Sequence, residues 1–147
     1  MPIDFSKLLT SRETQADREA AAASYDAGLR AKDSRFRAER ATRHAYIRIQ
    51  EVSGRWTMDS SYTVTLHGLD AHGRRIRAEY DVPSAYGRDV AYAVSASFNN
   101  GDELSLRGYW KAYSNRQGKK FFTFKALHAT GIDLDGLYNK TQKTVAA

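Results

Sequence analysis

The sequence predicts a mainly β fold: five short strands, one helix between the third and fourth, and a helical arm in front. Three observations carry that reading. Apolar residues alternate with period two over residues 43–52, 61–69 and 74–82, and again on both sides of residues 114–118. Turn signals separate the runs: Asp70-Ala71-His72-Gly73, Asn99-Asn100-Gly101-Asp102 and Ser114-Asn115-Arg116-Gln117-Gly118. Residues 12–41, by contrast, are rich in alanine and charge and contain no proline.

In chain order, residues 1–10 carry a short apolar group, Ile3, Phe5, Leu8 and Leu9. Thr10 and Glu13 fit a capping box opening a helix over 12–41. Asp26/Arg30 and Asp33/Arg37 are opposite charges at i, i+4. The apolar stripe, Tyr25, Leu29 and Phe36, is thin, so residues 1–41 read as an arm that packs on the following domain, pairs with a second subunit or is partly disordered by itself.

Strand one puts Ala45, Ile47 and Ile49 on one face, and residues 54–60 read as a loop holding Arg55 and Trp56. Strand two puts Tyr62, Val64 and Leu66 together. Strand three sets Ile76, Ala78, Tyr80 and Val82 against Arg75, Arg77, Glu79 and Asp81. Pro83 ends that strand, because it has no N–H to donate. Val90, Ala91, Val94 and Phe98 then fit a helix, with an extra strand as the competing reading. Strand four puts Leu104, Leu106, Gly108, Trp110 and Ala112 on a core face, and strand five adds Phe122, Phe124 and Ala126. Residues 132–147 read as a flexible tail, leaving 42–131 as the β domain. Three strands, a helix and two strands is the order of the five-stranded Greek-key OB barrel.

Composition bounds the function. No apolar run approaches the roughly 20 residues of a membrane span, and no signal-peptide pattern opens the chain, so a cytoplasmic location is expected. The absence of cysteine excludes disulfides and thiolate metal sites. The chain has 23 Lys and Arg against 17 Asp and Glu, a net charge of +6. Residues 42–131 hold 13 of those cations against 8 acids, together with 13 of the aromatics. Cations and flat rings on one domain match a polyanion whose bases are unpaired.

Gly101-Asp102-Glu103-Leu104-Ser105-Leu106-Arg107-Gly108-Tyr109-Trp110 resembles the entry to strand four of OB-fold single-stranded-DNA-binding proteins. Lys119-Lys120-Phe121-Phe122-Thr123-Phe124-Lys125-Ala126 resembles the hairpin that follows it there. The tail Tyr138–Ala147 lacks the acidic residues of the family's bacterial members, and a long helical arm is foreign to them. The resemblance therefore implies a specialised relative of the plasmid or phage type rather than a housekeeping binder. It also implies a preference for DNA over RNA.

Binding a single strand takes cations for phosphate and rings for bases, on strands two and three with the flanking loops. The candidates are Arg55 and Trp56, then Arg74, Arg75 and Arg77 of strand three. Strand four adds Arg107, Tyr109, Lys111 and Tyr113, and the last hairpin adds Arg116, Lys119, Lys120 and Phe121. Trp110, Phe122 and Phe124 are expected to fill the barrel. No HxxH, HxxxH, GxxxxGK[ST] or GxGxxG spacing occurs, so neither metal, cofactor nor catalysis is expected. The expected function is non-enzymatic binding of single-stranded DNA, or RNA, with weak sequence preference. The alternative is a protein-interaction module that docks onto other subunits of a larger complex through the barrel and the helical arm; the arm is also the candidate for joining copies of the chain.

Overall fold

The computed structural model describes residues 5–146, with side chains for residues 15–143. Ile3 lies outside the described residues, as do the side chains of Phe5, Leu8, Leu9, Thr10 and Glu13. The elements are α1 (Phe5–Arg40), β1 (Arg43–Trp56), β2 (Tyr62–Leu69), β3 (Arg75–Val82), α2 (Arg88–Ser97), β4 (Glu103–Ser114), β5 (Lys120–Ala129) and α3 (Leu134–Ala146). A single 3-10 turn, Ser84–Tyr86, follows Pro83.

The strands close into a barrel in the order β1-β2-β3-β5-β4. All neighbours are antiparallel except β3 and β5, which are parallel through Ala78↔Phe124, Glu79↔Lys125 and Tyr80↔Ala126. The core holds the inward residues of each strand: Ile47 and Ile49, Val64 and Leu66, Ala78 and Tyr80, Leu106 and Phe124. Val90, Ala91 and Val94 of α2 complete it from one end, as the i, i+4 spacing predicts.

β1 runs four residues past the predicted strand and serves two neighbours. Its first half pairs with β4, Arg43↔Gly108 to Arg48↔Glu103, and its second half with β2. A bulge between Ile49 and Glu51 makes the change, with Gln50 as the extra residue. Arg55 and Trp56 pair with β2 and so belong to the strand rather than to a loop, and the bulge inverts the alternation before them. Arg55, opposite Thr63, points outward; Trp56, opposite Tyr62, takes the parity that leads toward α2.

Four expectations are corrected. The helix runs from Phe5 through Thr10 without a break, so Thr10 is not its cap. Residues 134–146 form a helix, not a loose tail, and Leu134 is buried in the core. Trp110 and Phe122 are exposed, at 48% and 63%, while Phe124 is buried as expected. Trp110 and Phe122 sit on the core parity, but the barrel ends before them. β4 loses its β1 neighbour after Gly108, and β5 pairs with β3 only from Phe124 onward. Residues 110–123 are thus an overhanging two-stranded ribbon with no strand facing its inner side.

The arm is anchored at its C-terminal end. The Arg37 side chain is buried, donates to the backbone oxygens of Leu127 (2.9 Å) and Asp81, and pairs with Asp33 at 2.7 Å. Arg30 donates to Ala85 O at 2.8 Å and lies 3.8 Å over the Tyr138 ring. The Tyr86 hydroxyl sits 3.3 Å from both Asp33 and Asp135, joining α1, the 3-10 turn and α3. Residues 15–25 of α1 are exposed on every side.

Candidate nucleic-acid interface

The outer face of β2, β3, β5 and β4 starts from alternation. With Val64, Leu66, Ala78 and Tyr80 inside, Thr63, Thr65 and His67 of β2 face out with Arg75, Arg77, Glu79 and Asp81 of β3. Tyr109, Lys111 and Tyr113 of β4 lie opposite Lys125, Thr123 and Phe121 of β5.

Four candidate residues form a continuous run here. Tyr113 and Phe121 stack at 5.6 Å with planes 19° apart. Lys111 Nζ lies 5.1 Å from the Tyr113 ring centre, and the Arg77 guanidinium lies 5.9 Å from that of Phe121. Cations and rings therefore alternate across the ribbon and onto β3.

The floor of the face is an ion cluster. Lys125 Nζ reaches Glu79 at 3.0 Å and Asp81 at 2.7 Å, and Arg77 reaches Glu79 at 3.3 Å. Thr63 donates to the other oxygen of Asp81 at 2.7 Å. Burial works against the charge on Lys125, but Asp81 and Glu79 outweigh it and raise its pKa. Glu79 is 5% exposed, so its charge is held by these two cations rather than by water. Nε of Arg77 and Oγ1 of Thr123 are buried there without a hydrogen-bond partner. Arg77 and Lys125 balance Glu79 and Asp81, and Arg55, Arg75 and Lys111 then stand against Glu51 and Asp59 of the cleft walls, which leaves a small positive surplus on this face.

Two open clefts flank the stacked pair. One, of about 460 Å³, is lined by His67, Arg75, Arg77, Phe121 and Phe122. The other, of about 440 Å³, is lined by Arg55, Met58, Thr63, Asp81, Tyr113 and Lys125. Loop 57–61 walls the second. Its Asp59 accepts from Thr57 Oγ1 and from Ser61 N, bonds that hold its carboxyl below the ordinary range.

The structure brings Arg55, Arg75, Arg77, Tyr109, Lys111, Tyr113 and Phe121 onto this face. The other candidates lie elsewhere. Trp56 sits around the corner, edge-on to Tyr62 at 4.9 Å and to Tyr92 at 6.0 Å. Arg107 lies beside His44 and His128, where β1, β4 and β5 meet. Arg74 closes the 70–74 turn, its N–H bonded to Asp70 at 2.9 Å. Arg116 and Lys119 are at the hairpin tip, and Lys120 shares the opposite side of the ribbon with Phe122. Sequence reasoning missed Lys125 and the threonine floor. The alternation that placed Arg77 outward also placed Lys125 there, but its two carboxylate partners appear only once β3 meets β5.

Among the described residues no group of His, Asp and Glu could hold a metal ion, and no helix is long and apolar enough to cross a membrane. No protein-family model and no curated protein matches the chain.

Proposed function

We propose that the chain is an OB-type barrel that binds single-stranded nucleic acid, DNA in preference to RNA, without enzymatic activity. The observation that carries this reading is the run Lys111–Tyr113–Phe121–Arg77 on one face, with a cleft at the barrel rim on one side of it and a cleft under loop 57–61 on the other. The strand order, with one parallel pair and a helix between β3 and β4, supports the OB assignment. Phosphates would lie along Arg75, Arg55 and Lys111, and bases on the rings of Tyr113 and Phe121. Glu79 and Asp81 are already neutralised by Lys125 and Arg77, so they do not repel the strand.

The test is a fluorescence-anisotropy titration with labelled oligo-dT at several salt concentrations. Tyr113→Ala with Phe121→Ala should weaken binding at least tenfold, since each stacked base contributes about 1–3 kcal/mol. Arg75→Ala should lower the salt slope by about 0.7, the value for one phosphate contact on a single strand. Wild-type affinity in the double variant would end the proposal. A second reading, docking of α1 onto another copy, is favoured by the exposure of residues 15–25 on every side. Absence of oligonucleotide binding at low salt, with a dimer mass by light scattering, would decide for it.

A further inference from the structure

Beyond loop 57–61 lies a third cleft, of about 410 Å³, between that loop and α2. Trp56, Thr57, Ser60, Ser84, Arg88 and Tyr92 line it. Trp56 and Tyr92 are each about half exposed, and their rings meet 6.0 Å apart at 82°. Tyr62 packs edge-on to both, at 4.9 Å and 6.3 Å, and fixes the corner they make. Two rings at a right angle accept a third flat ring, stacked on one and edge-on to the other. The hydroxyls of Ser60 and Ser84 can bond the edge of such a ring. Arg88 is the one charged residue among those lining the cleft, so the site favours a planar group that carries negative charge. Thr57 lines both this cleft and the one holding Arg55 and Tyr113, so only loop 57–61 separates them.

We propose that this cleft holds one further unpaired base of the bound strand, the base against Trp56 and Tyr92 and its phosphate on Arg88. This rests on the single-strand reading above and extends its path over loop 57–61. It also gives Trp56, which faces away from the main face, a role beside a different set of partners.

The chain has two tryptophans, so Trp110→Phe leaves Trp56 as the sole reporter. The probes are oligo-dT of about four and about twelve nucleotides, within the range one OB barrel covers. Anisotropy and Trp56 emission are read in the same titration. The longer strand should quench Trp56 in step with binding. Arg88→Ala with Tyr92→Ala should weaken the longer strand at least about fivefold and the shorter less than about twofold, as expected for one lost stacked base. Circular dichroism checks that the variants keep the fold. Binding of the longer strand with unchanged Trp56 emission overturns this site and leaves the main face standing. Absence of binding by either strand overturns both. Quenching by thymidine monophosphate but not by the longer strand would make the cleft a free-nucleotide site and overturn the proposed path.

Discussion

At the scale of single residues, the barrel depends on two glycines that no turn explains. A Cβ on Gly108 would stand 1.9 Å from the carbonyl oxygen of Lys125, and one on Gly68 would stand 2.0 Å from that of Arg48. Both lie where the pairing shifts: Gly108 at the β4–β5 irregularity and Gly68 opposite Ile49 at the β1 bulge. The obstacle is backbone of a paired strand, so it cannot swing aside as a side chain would. Gly108→Ala is expected to cost about 3 kcal/mol, the upper range for overpacking a closed core. Urea denaturation followed by circular dichroism measures it; an unchanged midpoint would show that β5 yields freely. Sequence reasoning placed Gly108 on the core parity correctly. It had no means of seeing that Lys125 O would fill the space, because the register shift beside Gly108 appears only once β4 pairs with β5.

At the scale of elements, alternation identified each strand and the ends of β2 and β3, but not the end of β1 or the point where β4 and β5 leave the barrel. The ribbon of residues 110–123 keeps the period of a core strand, so Trp110 and Phe122 looked like barrel filling. They are exposed because β1 and β3 stop short of them, a fact about neighbours rather than about β4 and β5. Trp56 shows the converse: one extra residue at Gln50 moved it to the parity facing α2. The arm was legible as helix, while its anchor was not, since Asp33/Arg37 reads as an ordinary surface pair. In the structure Arg37 is buried and also bonds the carbonyls of Asp81 and Leu127, tying α1 to the ends of β3 and β5. Arg37→Met should therefore destabilise the fold by about 3 kcal/mol, because buried acceptors lose a charged donor. An ordinary exposed pair would change stability by less than about 1 kcal/mol. Guanidinium denaturation of the full chain distinguishes the two.

For the whole molecule, one end of the barrel is closed by α2, α3 and the end of α1, and the other carries the ribbon. Buried tyrosines collect near the closed end. Burial pushes Tyr80 up to about 12 and raises Tyr86 further, with Asp33 and Asp135 adding to the second. Lys125 is also raised, by Asp81 and Glu79 against its burial. A raised folded-state pKa contributes stability in full below the unfolded value and loses it as pH climbs through the folded one. For these groups the unfolded values are about 10. Stability should therefore hold to about pH 10 and fall steeply toward about pH 12. Tyr80→Phe keeps the ring and removes one titration, so its urea midpoint should fall less over that interval. Parallel curves for the two proteins would show that Tyr80 does not contribute.

What the sequence determined by itself was local. Period-two alternation and Gly- and Asn-rich turns defined five strands and the outward parity of Arg75, Arg77, Tyr113 and Phe121, while the stretch between the third and fourth fitted a helix with an extra strand as its rival. These follow from side-chain direction along a strand and from backbone freedom at turns, which neighbours in the chain decide. Only the tertiary structure decided where the barrel ends and which cations are spent on Glu79 and Asp81. It also decided that Trp56 joins Tyr92, and that α3 packs rather than trails. Those outcomes depend on which strands become neighbours on closure, and closure brings together residues that no short window of sequence contains.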